Sequence, residues 1–315
     1  MRIKKIVINI IILMTAFAIF VTWHQYNIRN EVKLTSSLIR YDKVYLITTD
    51  KEYEYWNFIN QGAADMAAAI GINYIWDAPA KRNVIEQINI INRAVNDGAN
   101  ALLVAADDPR RVSGAIEDAK ARGVKIIYVD SPANEEAITT LSTNNYDAGV
   151  AAGQTLISLL SDSGIVSGSI GIVSIASKQN AELRESGFRK VISSDGRYHL
   201  LDTIFTNGEP ASSEAAANKI INENADLIAL FGTNEGTTVG VGSANKSVNN
   251  RIVGIGFDKT QQNMELLKNG SLKAIIAQNP YTMGYLGMAE AVAALLGKRT
   301  GPPYLNTGFS VLKSD

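Results

Sequence analysis

Polar residues recur at one kind of position in this chain, directly after short apolar runs. They are Thr49-Asp50, Ala106-Asp107-Asp108, Asp130-Ser131, Ser177-Lys178, Thr206-Asn207, Thr233-Asn234-Glu235, Asp258-Lys259 and Gln278-Asn279. Nearly all are uncharged or acidic. Asp, Asn, Gln and Thr mix acceptors with donors, which suits a neutral polyhydroxylated ligand. A phosphate would call for glycines and positive charge there, yet no G-x-x-x-x-G-K and no G-x-G-x-x-G follows any of these runs. Each position is equally open to a second reading, because Asp and Asn after a strand often cap the next helix. Between the first run and the helix predicted after it stands Lys51-Glu52-Tyr53-Glu54-Tyr55-Trp56. Aromatic rings cover the apolar C–H faces of a pyranose while planar polar side chains satisfy its hydroxyl edges. The alternative places Trp56 at the start of the helix, packed into the core with Ile59. Tyr55 and Trp56 are adjacent and point different ways, so they should not share one core, and at least one should face a cleft.

Catalytic chemistry is poorly served. The chain has two histidines, His24 and His199, and no cysteine. A Ser-His hydrolase would rest on His199 alone, and no G-x-S-x-G elbow is present. The lack of cysteine excludes disulfides, a thiolate zinc site and a lipid-modified cysteine. No enzymatic activity, cofactor or metal is expected. A formal net charge of -1 argues against nucleic acid, whose binding needs a basic footprint.

The elements that must position these residues are legible as an alternation. Val44–Thr48, Asn73–Trp76, Ala101–Ala105, Lys125–Val129 and Ile138–Leu141 read as strands, with helical spacing over Trp56–Ile70, Asn83–Asn96 and Val112–Arg122. Gly71, Gly98 and Gly123 stand where helix C-caps belong. The rhythm repeats with strands at Ser169–Ile175, Leu200–Phe205, Leu227–Phe231, Ile252–Phe257 and Ala274–Ala277. Their helices are Ala148–Leu160, Asn180–Ser193, Ser213–Asn222, Thr237–Asn245, Gln261–Leu267 and Thr282–Leu296. Strands separated by helices imply parallel sheets with right-handed crossovers. Two runs of strands imply an α/β protein of two doubly wound lobes, whose ligands bind outside the carboxyl ends of the strands.

The first residues concern location. Arg2, Lys4 and Lys5 precede an uncharged apolar run from Ile6 to Trp23, and the chain turns polar at His24-Gln25-Tyr26. A run of about 18 residues is near the lower limit for crossing a bilayer and longer than a signal core, with no A-x-A site before Arg29–Lys33. Basic residues hold that end in the cytoplasm, with Trp23 and Tyr26 at the far interface. The expectation is an uncleaved membrane anchor over 1–23 and a juxtamembrane linker over 24–41, with the remainder extracellular; a cleaved signal peptide is the alternative. That remainder, within a chain that is 46% hydrophobic and 19% charged, can bury one or two sizeable cores.

From Val44 onward the chain resembles the type I periplasmic sugar-binding proteins, the ribose- and xylose-binding group in particular. The markers are the aromatic opening before Gln61-Gly62-Ala63, Ile127-Tyr128-Val129-Asp130, and Asn144-Asn145 with Gly149. They continue with Arg184 before Gly187-Phe188, Phe231-Gly232-Thr233-Asn234-Glu235, Val253 to Asp258, and Ala277-Gln278 with Gly284. The resemblance implies a fold of two lobes joined by a three-segment hinge near Asn144-Asn145, Gln278-Asn279 and Tyr304-Leu305. The first lobe would be 42–144 plus 280–303, the second 145–278 plus 304–315. It implies an aromatic pair at Tyr55 and Trp56, a hydroxyl-binding Asp at Asp130, and Asn234, Asp258 and Gln278 from the second lobe and hinge. Thr49, Asp50, Asn180 and Glu182 complete the candidate ligand set. Where the family often has arginine, this chain has Ser131 and Glu182, which removes forked donors, so sugar identity cannot be copied from a ribose binder. Glu54-Tyr55-Trp56-Asn57 looks closer to xylose binders, which favours D-xylose. Arg184 reads as structural.

An anchored, cysteine-free member suits neither a diffusing shuttle nor a lipoprotein. It resembles membrane-anchored xylose-binding sensor components that pass sugar occupancy to a histidine kinase in the membrane. Residues 1–5 are too few for a signalling domain, so the transducer would be a separate protein. The alternative is the solute-binding receptor of an ABC permease.

Overall fold

In β1 (Lys43–Ile47) Val44 and Leu46 enter one core while Tyr45 and Ile47 enter another, because successive strand side chains leave opposite faces. The same division holds in β4 (Lys125–Val129), where Ile127 and Val129 join the first core and Ile126 and Tyr128 the second. Strands buried on both faces need helices on both faces. The computed structural model describes residues 41–314, together with Val21 and Ile39. Among the described residues no helix is long and apolar enough to cross a membrane; the anchor expected over 1–23 lies, Val21 apart, outside them.

The chain runs β1, α1 (Glu54–Ile70), β2 (Asn73–Asp77), α2 (Val84–Asn96), β3 (Ala99–Val104), α3 (Pro109–Ala121), β4 and β5 (Thr139–Ser142). It then repeats with α4 (Asn145–Asp162), β6 (Gly168–Ile175), α5 (Gln179–Ile192), β7 (Tyr198–Leu200), β8 (Ile204–Thr206), α6 (Pro210–Glu223), β9 (Leu227–Gly232), α7 (Glu235–Ser247), β10 (Val253–Phe257), α8 (Gln261–Lys268) and β11 (Ala274–Gln278). Helix α9 (Pro280–Leu295) and strands β12 (Tyr304–Asn306) and β13 (Phe309–Lys313) follow. One sheet has the order β12-β5-β4-β3-β1-β2 and the other β13-β11-β10-β9-β6-β7, with β8 also on β6. The two doubly wound α/β lobes are therefore copies of one strand order, each with an edge strand taken from the chain's last residues.

Three details depart from the expected elements. The strand expected over 200–205 is two strands, β7 and β8. Between them Thr203 leaves the ladder, its Oγ1 lying 2.6 Å from Arg189 Nη2 and 2.5 Å from Glu185 Oε1. The tail supplies the strand β13, antiparallel to β11. The third crossing lies at Thr307-Gly308 and not at Tyr304-Leu305, because β12 pairs in parallel with β5 of the first sheet. The other two crossings lie between β5 and α4 and at Asn279. Thr307 N–H donates to the Ser142 carbonyl at 2.9 Å, and Asn279 Nδ2 to the Thr307 carbonyl at 2.7 Å. The three strands of the hinge are thus tied to one another.

Each lobe fixes its cleft-facing helix through glycine. A Cβ on Gly62 of α1 would lie 2.0 Å from the Tyr281 carbonyl oxygen, and one on Gly284 of α9 1.9 Å from that of Ile59. In the second lobe a Cβ on Gly149 of α4 would lie 2.0 Å from the Arg184 carbonyl oxygen, and one on Gly187 of α5 2.1 Å from that of Tyr146. Only glycine lets the two backbones approach so closely. These crossings set where α1 and α5 begin, and both begin at the cleft.

Candidate functional site

The loop after β1 is organised by one carboxylate. Asp50, fully buried, accepts the backbone N–H groups of Glu52 and Tyr53 at 3.1 Å, the Thr49 hydroxyl at 2.7 Å and the Trp56 indole N–H at 3.2 Å. Charge-assisted bonds of this kind are the stronger class. They hold Trp56 edge-on to Tyr55, ring centroids 5.1 Å apart at 81°. Both rings pack in the same core and both line a cavity between the lobes. The expectation that adjacent aromatics could not share a core is wrong here. They leave the first turn of α1 about 100° apart, and that turn stands on the rim where core becomes cleft.

The cavity measures about 110 Å³. At some 10–15 Å³ per water it holds on the order of ten heavy atoms, the size of one monosaccharide. Asp130, after β4, lies in the left-handed region at φ 65°. Its carboxylate accepts the Tyr55 hydroxyl at 2.8 Å, the Asn180 amide at 3.1 Å and the Ser131 hydroxyl. Asp258, after β10, has φ 76° and accepts the Gln278 amide at 2.7 Å. Burial pushes the Asp258 carboxyl up, while Arg184 and the Gln278 bond oppose that. The Tyr55 hydroxyl is held well above the usual tyrosine range, by burial first and then by Asp130 and Asp258. Asn234 caps α7 in a box with Thr237 and also lines the cavity, so the capping and ligand readings coexist at that position. His199 is exposed in β7, away from this cavity.

Of the candidate residues, Thr49, Tyr55, Trp56, Asp130, Asn180, Asn234, Asp258 and Gln278 line the cavity. Two do not. Asp50 stands behind it, taken up by the loop and the Trp56 indole. Glu182 is exposed on the outer face of α5, because only positions three or four apart share a helix face. The residue on the Asn180 face is Arg184, which is 4% exposed and lines the cavity. Its Nε donates to Asn145 Oδ1 at 2.7 Å, its Nη1 to the Thr233 carbonyl at 3.0 Å, and its guanidinium lies 4.3 Å from the Phe257 ring centroid. It is structural, as read from sequence, and part of the cavity wall as well.

Sequence reasoning missed Tyr53, Arg82, Asp107, Lys178 and Glu235, all of which line the cavity. Arg82 follows β2, a strand end left out of the reading. Lys178, Asp107 and Glu235 stand at strand ends that were read, but the resemblance carried no ligand role to them. The Lys178 ammonium binds Asp107 across the cleft, Nζ to Oδ1 at 2.5 Å, and also reaches the Asp107 carbonyl. The Tyr53 hydroxyl donates to the Gly208 carbonyl of the other lobe at 3.1 Å. With the Asn180–Asp130 bond, these contacts describe a closed cleft. The Arg82 Nε is buried without a hydrogen-bond partner, 3.4 Å from Asp107 Oδ1 and 3.9 Å from Asp50 Oδ2.

A family model described as the periplasmic binding protein domain matches residues 44–299. The chain is 25% identical over 271 residues to the ribose import binding protein RbsB of Haemophilus influenzae, covering 84% of this chain and 90% of that protein. It is 25% identical over 245 residues to the xylose/arabinose-binding protein XylF of Sulfolobus acidocaldarius, covering 71% of this chain and 59% of that one. A solute-binding protein of Agrobacterium radiobacter solved with D-arabinose superposes with a TM-score of 0.81 at 22% identity, over 86% of this chain and 94% of that one.

Proposed function

The chain belongs to the periplasmic binding protein domain family, and from that premise we propose that it binds a neutral monosaccharide, D-xylose first among candidates, by closing its lobes over it. The observation that carries this reading is the closed cavity itself. Tyr55 and Trp56 offer ring faces and edges on one side, while Asp130, Asn180, Asn234, Asp258 and Gln278 converge from both lobes and the hinge. The cations of the wall lie against groups of the protein, Lys178 and Arg82 against Asp107, and Arg184 on Asn145 and Thr233. A ligand therefore needs no charge. The protein acts by binding and conformational change rather than catalysis. A ligand that touches both lobes stabilises the closed form by its differential affinity for that form.

In the same reading, residues 1–23 anchor the protein with its sugar-binding part outside the cell, and closure alters the surface shown to a membrane histidine kinase. A partner touching both lobes would distinguish open from closed, and by linkage it would tighten sugar binding by the factor by which sugar tightens its own. A second reading, receptor for an ABC permease, is supported by the relatives whose names describe import binding proteins.

Titration calorimetry of the full-length chain with D-xylose, L-arabinose, D-ribose and D-glucose tests the ligand. Saturable heat with D-xylose in preference to the others supports it, and no heat with any of them sinks it. Co-purification with a co-encoded kinase, with and without sugar, separates the two roles: sugar-dependent association supports signalling, and association with a permease alone supports transport.

A further inference from the structure

Helix α1 begins without a cap of its own, since the Tyr53 side chain makes no capping bond. The N–H groups of its first turn must find acceptors elsewhere, and they find one in the opposite lobe. The Glu235 carboxyl, on the first residue of α7, accepts the Tyr55 N–H at 3.3 Å and also the Glu54 N–H. Glu54 reaches the other way, accepting the N–H of Gln261, the first residue of α8, at 2.8 Å. Each glutamate thus sits on the N-terminus of a helix in the other lobe, where the helix dipole favours an acceptor. Neither arrangement can form unless the lobes have met.

We propose that Glu54 and Glu235 are positioning residues for sugar binding, a reciprocal pair of interlobe helix caps that fastens the closed cleft, and that closure over Glu235 takes up a proton. The proposal rests on the reading of the cavity as a sugar site that works by closure.

Proton uptake follows from what surrounds Glu235. Closure withdraws its carboxyl from water into the cavity wall, and its charged neighbours are acidic: Asp258 after β10 and Glu54 at the start of α1. The two arginines of the wall are engaged elsewhere, Arg184 against Asp258 and Arg82 beside Asp107 and Tyr53. Burial first, then Asp258, push the Glu235 carboxyl up to about 8 against the opposing pull of the α1 N–H groups. In the open form the carboxyl returns to water and the ordinary range near 4.5. The closed form therefore holds the proton more tightly. Closure is most favoured below the open-form value and weakens as pH rises through about 8. Protonated, Glu235 keeps one oxygen as acceptor for α1 and gains an O–H that can be offered to a sugar oxygen. Asp258 is shifted in the same direction. Lys178 is shifted down, by burial first, so it resists closure at low rather than high pH.

The test is calorimetry of the full-length protein with D-xylose from pH 5.5 to 8.5, in pairs of buffers with unlike ionisation heats. Wild type should lose roughly twenty- to thirtyfold in affinity between pH 6.5 and 8.5 through Glu235 and take up protons as it binds. Glu235→Gln, permanently uncharged but still hydrogen-bonding, should lose the part of the slope that Glu235 supplies, keep only what Asp258 contributes, and bind more tightly than wild type at pH 8.5. Glu54→Ala should bind roughly two- to thirtyfold more weakly at every pH while keeping the slope. Sugar binding with a flat wild-type profile, a slope undiminished in Glu235→Gln, or unchanged affinity in Glu54→Ala would overturn this inference and leave the sugar site standing. No binding of any pentose or hexose at any pH would overturn the sugar reading and this inference with it.

Discussion

Asp130 and Asp258 occupy the same place in the two lobes, after β4 and β10, which stand third in their sheets, and in the same left-handed backbone conformation. Their surroundings differ. Asp130 is already engaged by Tyr55, Asn180 and Ser131, whereas Asp258 is met by Gln278 alone among side-chain hydrogen-bond donors of the described residues. The contrast extends to the lobes around them. The first lobe brings a preassembled surface, with Asp50 fixing the loop, the loop fixing Trp56, and Trp56 packing on Tyr55. The second brings Glu235, Asp258, Lys178 and Arg184, ionisable groups whose partners lie partly across the cleft. A duplicated fold has thus divided its labour. Shape comes from the first lobe, and the response to closure comes from the second.

The shared part of the comparison is the easiest to break. Gly284→Ala should destabilise the first lobe by about 3 kcal/mol, and Gly187→Ala the second by a similar amount, because overpacking against a rigid backbone has no flexible end to yield. Scanning calorimetry should then show a separate early transition in each variant. One transition lowered equally by both would mean that the lobes unfold as a unit. Asp258→Ala comes next. It removes a charged hydrogen-bonding partner worth roughly 1.5–3 kcal/mol, so D-xylose affinity should fall about ten- to a hundredfold, and calorimetry finding no change would remove Asp258 from the site. The smallest effect sharpens the boundary of the second lobe's contribution. Glu182→Ala should leave both affinity and melting temperature within about 0.5 kcal/mol of wild type, as an exposed position should.

How far the sequence disclosed these lobes depended on what kind of signal was present. The alternation of strand and helix gave most of the elements and the two parallel-sheet lobes, since apolar periodicity is dictated by burial on two faces. It failed at 200–205, where Thr203 leaves the ladder for side-chain partners that no local pattern announces. Strand ends pointed to the cavity because a parallel sheet sends every carboxyl end to one side. That logic does not reach Arg82, which stands five residues beyond β2. It could not tell lining residues from those one layer behind, so Asp50 was taken for a contact. Glu182 was placed by resemblance without asking which face of α5 it occupies, while Arg184, one turn from Asn180, was read as structural only. Glu235 is different again. Its partner lies 180 residues away in sequence, and nothing near it in the chain marks an N-terminus that another lobe must cap.

The chain crosses between lobes three times, and this bears on the order in which the protein can be made. The first lobe owns α9, whose Met283, Met288, Ala291 and Val292 are part of its core, and β12 on the edge of its sheet. Both are synthesised after residues 145–279, which build almost the whole second lobe. At roughly 5–20 residues per second, about 7 to 27 seconds separate the last strand of the main first-lobe segment from the helix that covers it. During that interval the partner surface of α1, Gly62 and Ala63 included, has nothing to pack against. The lobe encoded first is therefore completed last, and the second can fold around its own α4–α5 crossing while its elder twin is still waiting for a lid.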